Sequence, residues 1–141
     1  MQLYFLVEDN PFYASLIEEA LSNNETRIQV FEKGENCLAE LSKQPDLIIL
    51  DYYLDGELTG LDTLQRIKKE SPETQLIFLT SQANMQVALK SLRFGAFEYI
   101  EKNETAIEAL QDALDRLDIL KKSAVKKEGS VFNLFKKSMV C

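Results

Sequence analysis

The sequence predicts an α/β protein in which helices cover both faces of a parallel β-sheet. Two observations lead to this prediction. Apolar runs of strand length alternate with amphipathic stretches of helical length in the order βαβαβαβαβα, a pattern typical of parallel sheets. In addition, the chain has 141 residues, of which 45% are hydrophobic and 28% charged, and this size and composition suit one packed domain.

Five segments have the length and composition of strands. Three of them, 3–7, 47–50 and 76–79, are continuously apolar, as expected for strands buried on both faces. The other two, 28–31 and 97–100, mix apolar with polar residues, which is typical of edge strands. Right-handed crossovers leave few topologies, and the strand order 2-1-3-4-5 places the two mixed strands at the edges. We therefore predict a doubly wound, five-stranded parallel sheet with this order.

Five helices are predicted around the strands. The first begins after Asn10, an N-cap residue that is followed by proline at the first helical position. The second helix follows Gly34 and ends before Pro45, and the third ends before Pro72. The fourth ends at the capping Gly95, and the fifth begins at about Thr105. The apolar residues that share one face are, helix by helix, Phe12, Leu16, Ile17 and Ala20; Cys37, Leu38 and Leu41; Leu61, Leu64 and Ile67; Met85, Ala88, Leu89 and Leu92; and Ile107, Leu110, Leu114 and Leu117.

Composition excludes several classes of protein. No apolar run approaches the roughly 18 residues that span a bilayer, and the apolar first residues lack the basic region of a signal peptide. The chain has no histidine and only Cys37 and Cys141, which excludes zinc-finger and Cys-His chemistry. Two cysteines form no disulfide framework, so we expect a reducing, cytoplasmic location.

Charge is unevenly distributed along the chain. Residues 1–120 carry 22 acidic and 10 basic side chains, a net charge of −12, whereas residues 121–141 carry six lysines and Glu128, a net charge of +5. We expect no nucleic-acid partner for the acidic part, because nucleic-acid binding depends on neutralising phosphates. The basic tail fits a segment that binds a membrane surface or a protein, but it fits better an end that is free or folded back on the acidic part.

Polar residues follow the predicted strands at the sheet edge where a doubly wound fold has its site. Glu8 and Asp9 follow the first strand, Asp51 the third, Thr80 and Ser81 the fourth, and Lys102 the fifth. Carboxylates this close repel one another unless a cation lies between them, and their oxygens suit Mg²⁺. A lysine and a threonine opposite the metal are donors for a phosphoryl group. Together these residue types predict phosphoryl transfer to a carboxylate.

Other interpretations of these residues fit less well. Taken singly, each has a structural explanation: an acidic pair on a solvated rim, an Asp or Thr that caps a helix, or a lysine that faces solvent. A flavin-binding flavodoxin needs a phosphate loop where Glu8 and Asp9 stand, and the P-loop motif is absent. A haloacid-dehalogenase-like phosphatase needs a second Asp at the position of Tyr53.

The residues at the strand ends make the sequence resemble the receiver domain of two-component response regulators. The resemblance rests on Glu8 to Pro11, Asp51 with Gly60, Thr80-Ser81, Tyr99 and Lys102, and covers residues 1–122. It implies a flavodoxin-like fold for residues 1–122, with 123–141 as a basic C-terminal tail, and a phosphoacceptor regulator that is not an enzyme acting on a separate substrate. Its phosphoryl group would come from a histidine kinase or a histidine phosphotransfer protein.

The resemblance also assigns a role to each site residue. Asp51 is the expected phosphoacceptor, and Mg²⁺ is bound by Asp9, Asp51 and the backbone carbonyl of Tyr53, with Glu8 acting largely through water. Thr80 is expected to hydrogen-bond the phosphoryl group and Lys102 to pair with it. Tyr99 is the expected aromatic switch that moves with Thr80.

Four features depart from the usual family pattern: Glu8 stands where Asp is commoner, the stretch 54–60 lacks a proline and is about one residue longer, and the other two are single positions. Asn103 stands where proline commonly follows the lysine, and the bulky Tyr53 lies two residues after the phosphoacceptor. We expect Tyr53, together with Gln82, to flank the path of the water that removes the phosphoryl group, and hence slow self-dephosphorylation.

A tail without room for an output domain suggests a single-domain regulator, monomeric or weakly dimeric, that acts by binding a downstream protein. The expected partner surface is the face around residues 85–93 and Tyr99. The alternative function is a receiver-like interaction module that works without phosphorylation.

Overall fold

The computed structural model describes residues 1–54, 56–82 and 84–139, in which five strands alternate with five helices as predicted. The first compact unit, residues 1–107, contains the whole sheet, and the second is the remainder of the last helix. The strands are β1 (Gln2–Val7), β2 (Thr26–Phe31), β3 (Leu47–Asp51), β4 (Gln75–Thr80) and β5 (Glu98–Glu101). The helices are α1 (Pro11–Leu21), α2 (Gly34–Ala39), α3 (Gly60–Glu70), α4 (Met85–Arg93) and α5 (Ala106–Met139), with a 3₁₀ turn at Leu41–Lys43.

The sheet has the predicted topology. Its strands pair in parallel in the order β2-β1-β3-β4-β5, so the two mixed strands lie at the edges. The register aligns Val7 of β1 with Leu50 of β3, so that Glu8 follows β1 at the level where Asp51 ends β3. The carboxyl ends of the central strands therefore meet at one edge of the sheet, as expected for the site of a doubly wound fold.

The main hydrophobic core lies between one face of the sheet and helices α2 and α3. Strand residues of this core alternate along the chain, as their two-residue period requires. The residues between them, such as Leu6, Ile49 and Ile77, are buried as well, so the central strands are covered on both sides. The core cluster consists of Phe5, Val7, Phe31, Cys37, Leu41, Ile48, Leu50, Leu64, Ile67, Leu76, Phe78 and Ala96.

The predicted apolar face of α1 is right at Ile17, which is buried, and wrong at Phe12 and Leu16. Phe12 is 78% exposed and Leu16 41% exposed, and the residues that α1 buries are Ala14, Ile17 and Leu21. Positions 12 and 16 lie on the side of the helix opposite positions 14 and 21, because each residue advances the helix by about 100°. Two apolar stripes run along α1, and packing on the rest of the protein covers only one of them.

Helix α2 is shorter than predicted. It ends at Ala39, and the chain continues through the 3₁₀ turn to Gln44, which adopts a left-handed backbone with a φ of 56°. The interval before Pro45 is thus a helix and a turn. The last helix, α5, continues through the proposed boundary at 122/123.

Helix α4 leaves most of its apolar face uncovered. Met85 is 75% exposed, Leu89 58% and Leu92 43%, while Ser91 is fully buried. In the described residues, no helix is long and apolar enough to cross a membrane. The apolar stripe of Met85, Leu89 and Leu92 lies on the surface of the protein.

Candidate functional site

Three carboxylates converge at the carboxyl edge of the sheet. Glu8 and Asp9 follow β1, Asp51 ends β3, and one oxygen from each lies within 4.8 Å of the others. Glu8 and Asp51 are buried, with 2% and 6% exposure, and Asp9 is exposed. The sequence prediction that these three residues form one cluster is borne out by this geometry.

Lys102 joins the cluster from the end of β5. Its Nζ donates to Glu8 Oε2 at 2.7 Å and to Asp51 Oδ2 at 3.0 Å. The backbone N–H of Lys102 donates to the carbonyl of Thr80 at 2.7 Å, which fixes where the side chain starts. Burial alone would lower the pKa of Lys102, but the hydrogen bonds to the two carboxylates outweigh burial and raise the pKa above its ordinary value. The amine is therefore a positive charge held against the two buried acids.

The charges in this cluster do not balance. Burial raises the pKa of Glu8, the hydrogen bond from Lys102 opposes that rise, and the negative charge of Asp51 adds to it. One ammonium faces two buried carboxylates, and Asp9 adds a third acid at the rim. Hard oxygen donors with surplus negative charge are the donor set that suits a divalent cation. The residues present therefore fit a divalent metal at this edge.

Asp51 and Tyr53 are linked directly after β3. The backbone N–H of Tyr53 donates to Asp51 Oδ1 at 3.0 Å, so both oxygens of Asp51 accept hydrogen bonds. The Tyr53 ring is 41% exposed and makes an edge-to-face contact with Tyr52, with ring centroids 5.0 Å apart. The Tyr52 ring in turn packs edge-to-face on Phe78 in the core, with ring centroids 5.3 Å apart. Tyr53 thus lies on the rim of the site, as the sequence predicted.

Thr80 and Tyr99 are joined through the backbone of Gln82. The Thr80 hydroxyl is fully buried, accepts from the Gln82 N–H at 3.2 Å and donates to the Gln82 carbonyl at 3.3 Å. The Tyr99 hydroxyl donates to the same carbonyl at 3.1 Å. The two predicted switch residues therefore hold one point of the β4–α4 loop, and the Thr80 hydroxyl is turned to that loop.

Glu8, Asp9, Asp51 and Lys102 form the charged part of the cluster that the sequence predicted, whereas the Thr80 hydroxyl bonds Gln82. Two neighbours of the site were missed. The ring of Tyr13 lies under the Lys102 ammonium, with Nζ 4.6 Å from its centre. Its position three residues after the N-cap Asn10 is a sequence signal for a first-turn residue beside the site.

The second neighbour of the site that the sequence analysis missed is Glu35, at the start of α2. Its Oε1 accepts from the backbone N–H groups of Glu57 at 3.1 Å and Leu58 at 3.0 Å, and thereby ties down the loop after Asp51. Hydrogen bonds from its own backbone and from this loop lower the pKa of Glu35. No sequence pattern marks this contact, because it joins segments more than 20 residues apart.

Asn103, the residue in place of proline, builds the turn after Lys102. Its Oδ1 accepts from the Thr105 N–H at 3.0 Å and from the Thr105 hydroxyl at 2.9 Å. All peptide bonds among the described residues are trans. An asparagine side chain that bonds the backbone two residues on is a standard way to form a turn, so the substitution leaves a defined loop behind the lysine.

Comparisons with known proteins identify a family and several relatives of this chain. The pattern of the response regulator receiver domain family matches residues 4–115. The nitrogen assimilation regulatory protein NtrX of Azorhizobium caulinodans is 31% identical over 99 residues, which are 69% of this chain and 22% of that protein. The regulatory protein LuxO of Vibrio cholerae is 28% identical over 129 residues, 91% of this chain and 26% of that protein. The chain thus spans about a quarter of the length of these curated relatives.

Solved structures give the same result. The signal receiver domain of a LuxO repressor protein from Vibrio parahaemolyticus has a TM-score of 0.78 and 25% identity, covering 88% of this chain and 95% of that one. The response regulator DrrB of Thermotoga maritima has a TM-score of 0.75 and 26% identity, covering 86% and 54%. From the sheet order, the clustered acids with their lysine, and these matches, the chain belongs to the response regulator receiver domain family, the phosphoacceptor modules of two-component signal transduction.

Proposed function

We propose that Asp51 accepts a phosphoryl group from the phosphohistidine of a histidine kinase or a histidine phosphotransfer protein. The observation that carries the proposal is the placement of Asp51: a buried carboxylate at the end of β3, hydrogen-bonded to Lys102 and flanked by two further acids. One Asp51 oxygen attacks phosphorus, the P–N bond breaks, and its electron pair leaves with the imidazole nitrogen. The protein thereby modifies its own side chain and has no separate substrate.

Lys102 and Thr80 are proposed to receive the phosphoryl oxygens. A charge-assisted hydrogen bond is shorter and about twice as strong as a neutral one, and the Lys102 ammonium already contacts Asp51 at 3.0 Å. Thr80 ends the neighbouring strand, where its hydroxyl can exchange its bond to the Gln82 carbonyl for one to phosphate. These two side chains would hold the new anion.

Mg²⁺ is the metal we propose for the acidic cluster. Asp9, Asp51 and the backbone carbonyl of Tyr53 would hold it directly, and Glu8 through water. The fit rests on three clustered carboxylates with surplus negative charge. When bound, the metal supplies positive charge against the phosphoryl oxygens. Glu8 and Asp51 would keep their carboxylates aligned through the shared lysine.

The output of the switch is proposed to be binding of a downstream protein by α4 and β5. Met85, Leu89 and Leu92 expose an apolar stripe there, and Tyr99 on β5 is bonded to the loop that precedes α4. The acidic part of the chain supports a protein partner over nucleic acid. A reducing, cytoplasmic location fits the free, buried thiol of Cys37.

Phosphorylation at Asp51 is tested with acetyl phosphate and Mg²⁺, followed by intact mass. We expect the wild type to gain one acid-labile phosphoryl group and Asp51→Asn to gain none. Asp115→Asn, an exposed change on α5, is the matched control and should be labelled like the wild type. Equal labelling of Asp51→Asn and the wild type would contradict the assignment.

The alternative is an interaction module that works without phosphate. The departures at Tyr53 and Asn103 favour it, since both flank the site. Beryllofluoride, which mimics a phosphoryl group on a carboxylate, separates the two functions. Beryllofluoride binding that requires Mg²⁺ and Asp51 supports the phosphorylation switch. If the protein is folded and binds Mg²⁺ but does not bind beryllofluoride, the result supports the interaction module.

A further inference from the structure

The ring of Tyr13 makes a third contact with the Lys102 ammonium. Nζ lies 4.6 Å from the ring centre, within the distance at which an aromatic face attracts a cation. The same Nζ is bonded to Glu8 at 2.7 Å and to Asp51 at 3.0 Å. Tyr13 therefore contacts the one cation in the described site and belongs to none of the residue sets assigned above.

The backbone of Tyr13 is tied to the site by the start of α1. Asn10 Oδ1 accepts from the N–H groups of Phe12 at 3.0 Å and Tyr13 at 3.2 Å, and the Asn10 N–H donates to Glu8 Oε1 at 3.3 Å. This N-cap sets the first turn of α1 relative to Glu8. The ring of Tyr13 thus projects from a fixed turn.

The ring acts through its face. Burial raises the pKa of the Tyr13 phenol, so the side chain is neutral at physiological pH. Its attraction for Lys102 is then that of an aromatic quadrupole, which phenylalanine also supplies. Lysine is a flexible side chain with four carbons between its backbone and its charge. A ring against the ammonium restricts where that charge can lie.

We propose that Tyr13 is a positioning residue for phosphoryl transfer, whose ring keeps the Lys102 ammonium directed toward Asp51. This inference rests on the proposed roles of Lys102 and Asp51. It predicts that a ring at position 13 matters and that the hydroxyl does not. An aliphatic side chain of similar size should keep the fold and lose the placement of the amine.

The rate of Asp51 phosphorylation by acetyl phosphate and Mg²⁺ tests this in wild type, Tyr13→Phe and Tyr13→Leu. Tyr13→Phe should stay within about twofold of the wild type. Tyr13→Leu should be slower by about fivefold, which corresponds to about 1 kcal/mol. Tyr13→Met, a second variant without a ring, should match Tyr13→Leu, and it takes the place of that variant if leucine prevents folding.

NMR of the Lys102 side chain supplies a readout that a general loss of stability would not move. The ring should shift the Lys102 ε-methylene protons upfield in wild type and Tyr13→Phe, and this shift should vanish in Tyr13→Leu. Equal phosphorylation rates in the Phe, Leu and Met variants would overturn the inference while leaving the phosphoacceptor intact. A wild type that is not labelled on Asp51 would instead overturn the proposed function, and this inference with it.

Discussion

Lys102 sets the electrostatics of the site. Its side chain is 12% exposed, and its ammonium is bonded to two carboxylates whose side chains are still more buried, Glu8 and Asp51. Removing one partner from a buried ion pair typically costs about 3–5 kcal/mol, because the other charge is left without compensation. The arrangement therefore holds both acids in place while the net charge of the cluster stays negative.

Tyr53 is the residue that we expect to control how long the phosphoryl group persists. Its N–H is bonded to Asp51, and its ring lies on the rim of the site, half exposed. A ring there can displace the water that attacks phosphorus. Replacing Tyr53 with Asn should shorten the lifetime about tenfold, which corresponds to a barrier lower by about 1.4 kcal/mol.

The lifetime is measured as loss of acid-labile phosphate at fixed Mg²⁺ after removal of the donor. Tyr53→Phe is the matched control, since it keeps the ring and removes only the hydroxyl, and it should decay like the wild type. An unchanged or longer lifetime in Tyr53→Asn would show that the ring does not protect the site.

Among the elements, the β4–α4 loop connects the site to the surface. The hydroxyls of Thr80 and Tyr99 both bond the carbonyl of Gln82, one from the buried side and one from β5. If Thr80 turns to a phosphoryl group, that carbonyl loses one of its two donors. The loop and Tyr99 can then rearrange together, next to the exposed stripe of α4.

Thr80→Ala should separate phosphorylation from this rearrangement. The variant keeps Asp51 and Lys102, so it should still accept phosphate. Charge-assisted hydrogen bonds contribute about 1.5–3 kcal/mol each, and a change of population from 1:99 to 99:1 needs about 5.5 kcal/mol. Loss of one of two such bonds should therefore leave α4 and β5 largely in the inactive state.

Backbone amide spectra with and without beryllofluoride measure this effect. Thr80→Ser, which keeps a hydroxyl, should restore most of the shifts in α4 and β5. Shifts in Thr80→Ala that match those of the wild type would contradict the role of the hydroxyl.

The C-terminal part of helix α5 can be removed to test whether it belongs to the domain. Lys121, Lys122 and Ser123 are exposed, and the family match ends at residue 115. Truncation after Lys122 should therefore leave the melting temperature and Asp51 phosphorylation unchanged, while it alters affinity for a partner or for anionic vesicles. Measurement of melting, labelling and vesicle binding in both forms checks this. Unfolding of the truncated chain would show that residues 123–141 are part of the domain.

For the whole molecule, Mg²⁺ binding should raise the free energy of unfolding. A ligand that binds only the folded state stabilises it by RT ln(1 + [L]/Kd), about 1.4 kcal/mol at ten times Kd. For a chain of this size such a change raises the melting temperature by about 3–6 °C. The clustered carboxylates of Glu8, Asp9 and Asp51 would bring this about.

Thermal unfolding with and without Mg²⁺ measures this shift. Asp9→Asn should lose it, and because Asp9 is exposed the substitution should cost little stability by itself. Asp115→Asn should keep the full shift. An equal rise in Asp9→Asn would mean that Mg²⁺ acts on the general negative charge of the protein and not at the predicted site.

The sequence by itself determined the architecture and which charged residues meet at one edge of the sheet. Continuous apolar strands, two mixed strands and polar residues at strand ends were enough, because a parallel sheet brings the ends of its strands to one edge. Its local signals also located Asn10 as the cap of α1 and placed Gly95, whose φ is 107°, at the stop of α4, although the C-cap residue itself is Phe94. Each of these depends on neighbours along the chain or on the period of the strand.

Only the tertiary structure decided which apolar stripe is covered and which contacts tune the site. Phe12 and Leu16 match the helical period as well as Ala14 and Leu21, so periodicity could not choose between them. The contacts of Tyr13 with Lys102 and of Glu35 with the loop after Asp51 join segments far apart in the chain. Such contacts form only where packing brings distant segments together, and no local sequence pattern indicates which side chains will then meet.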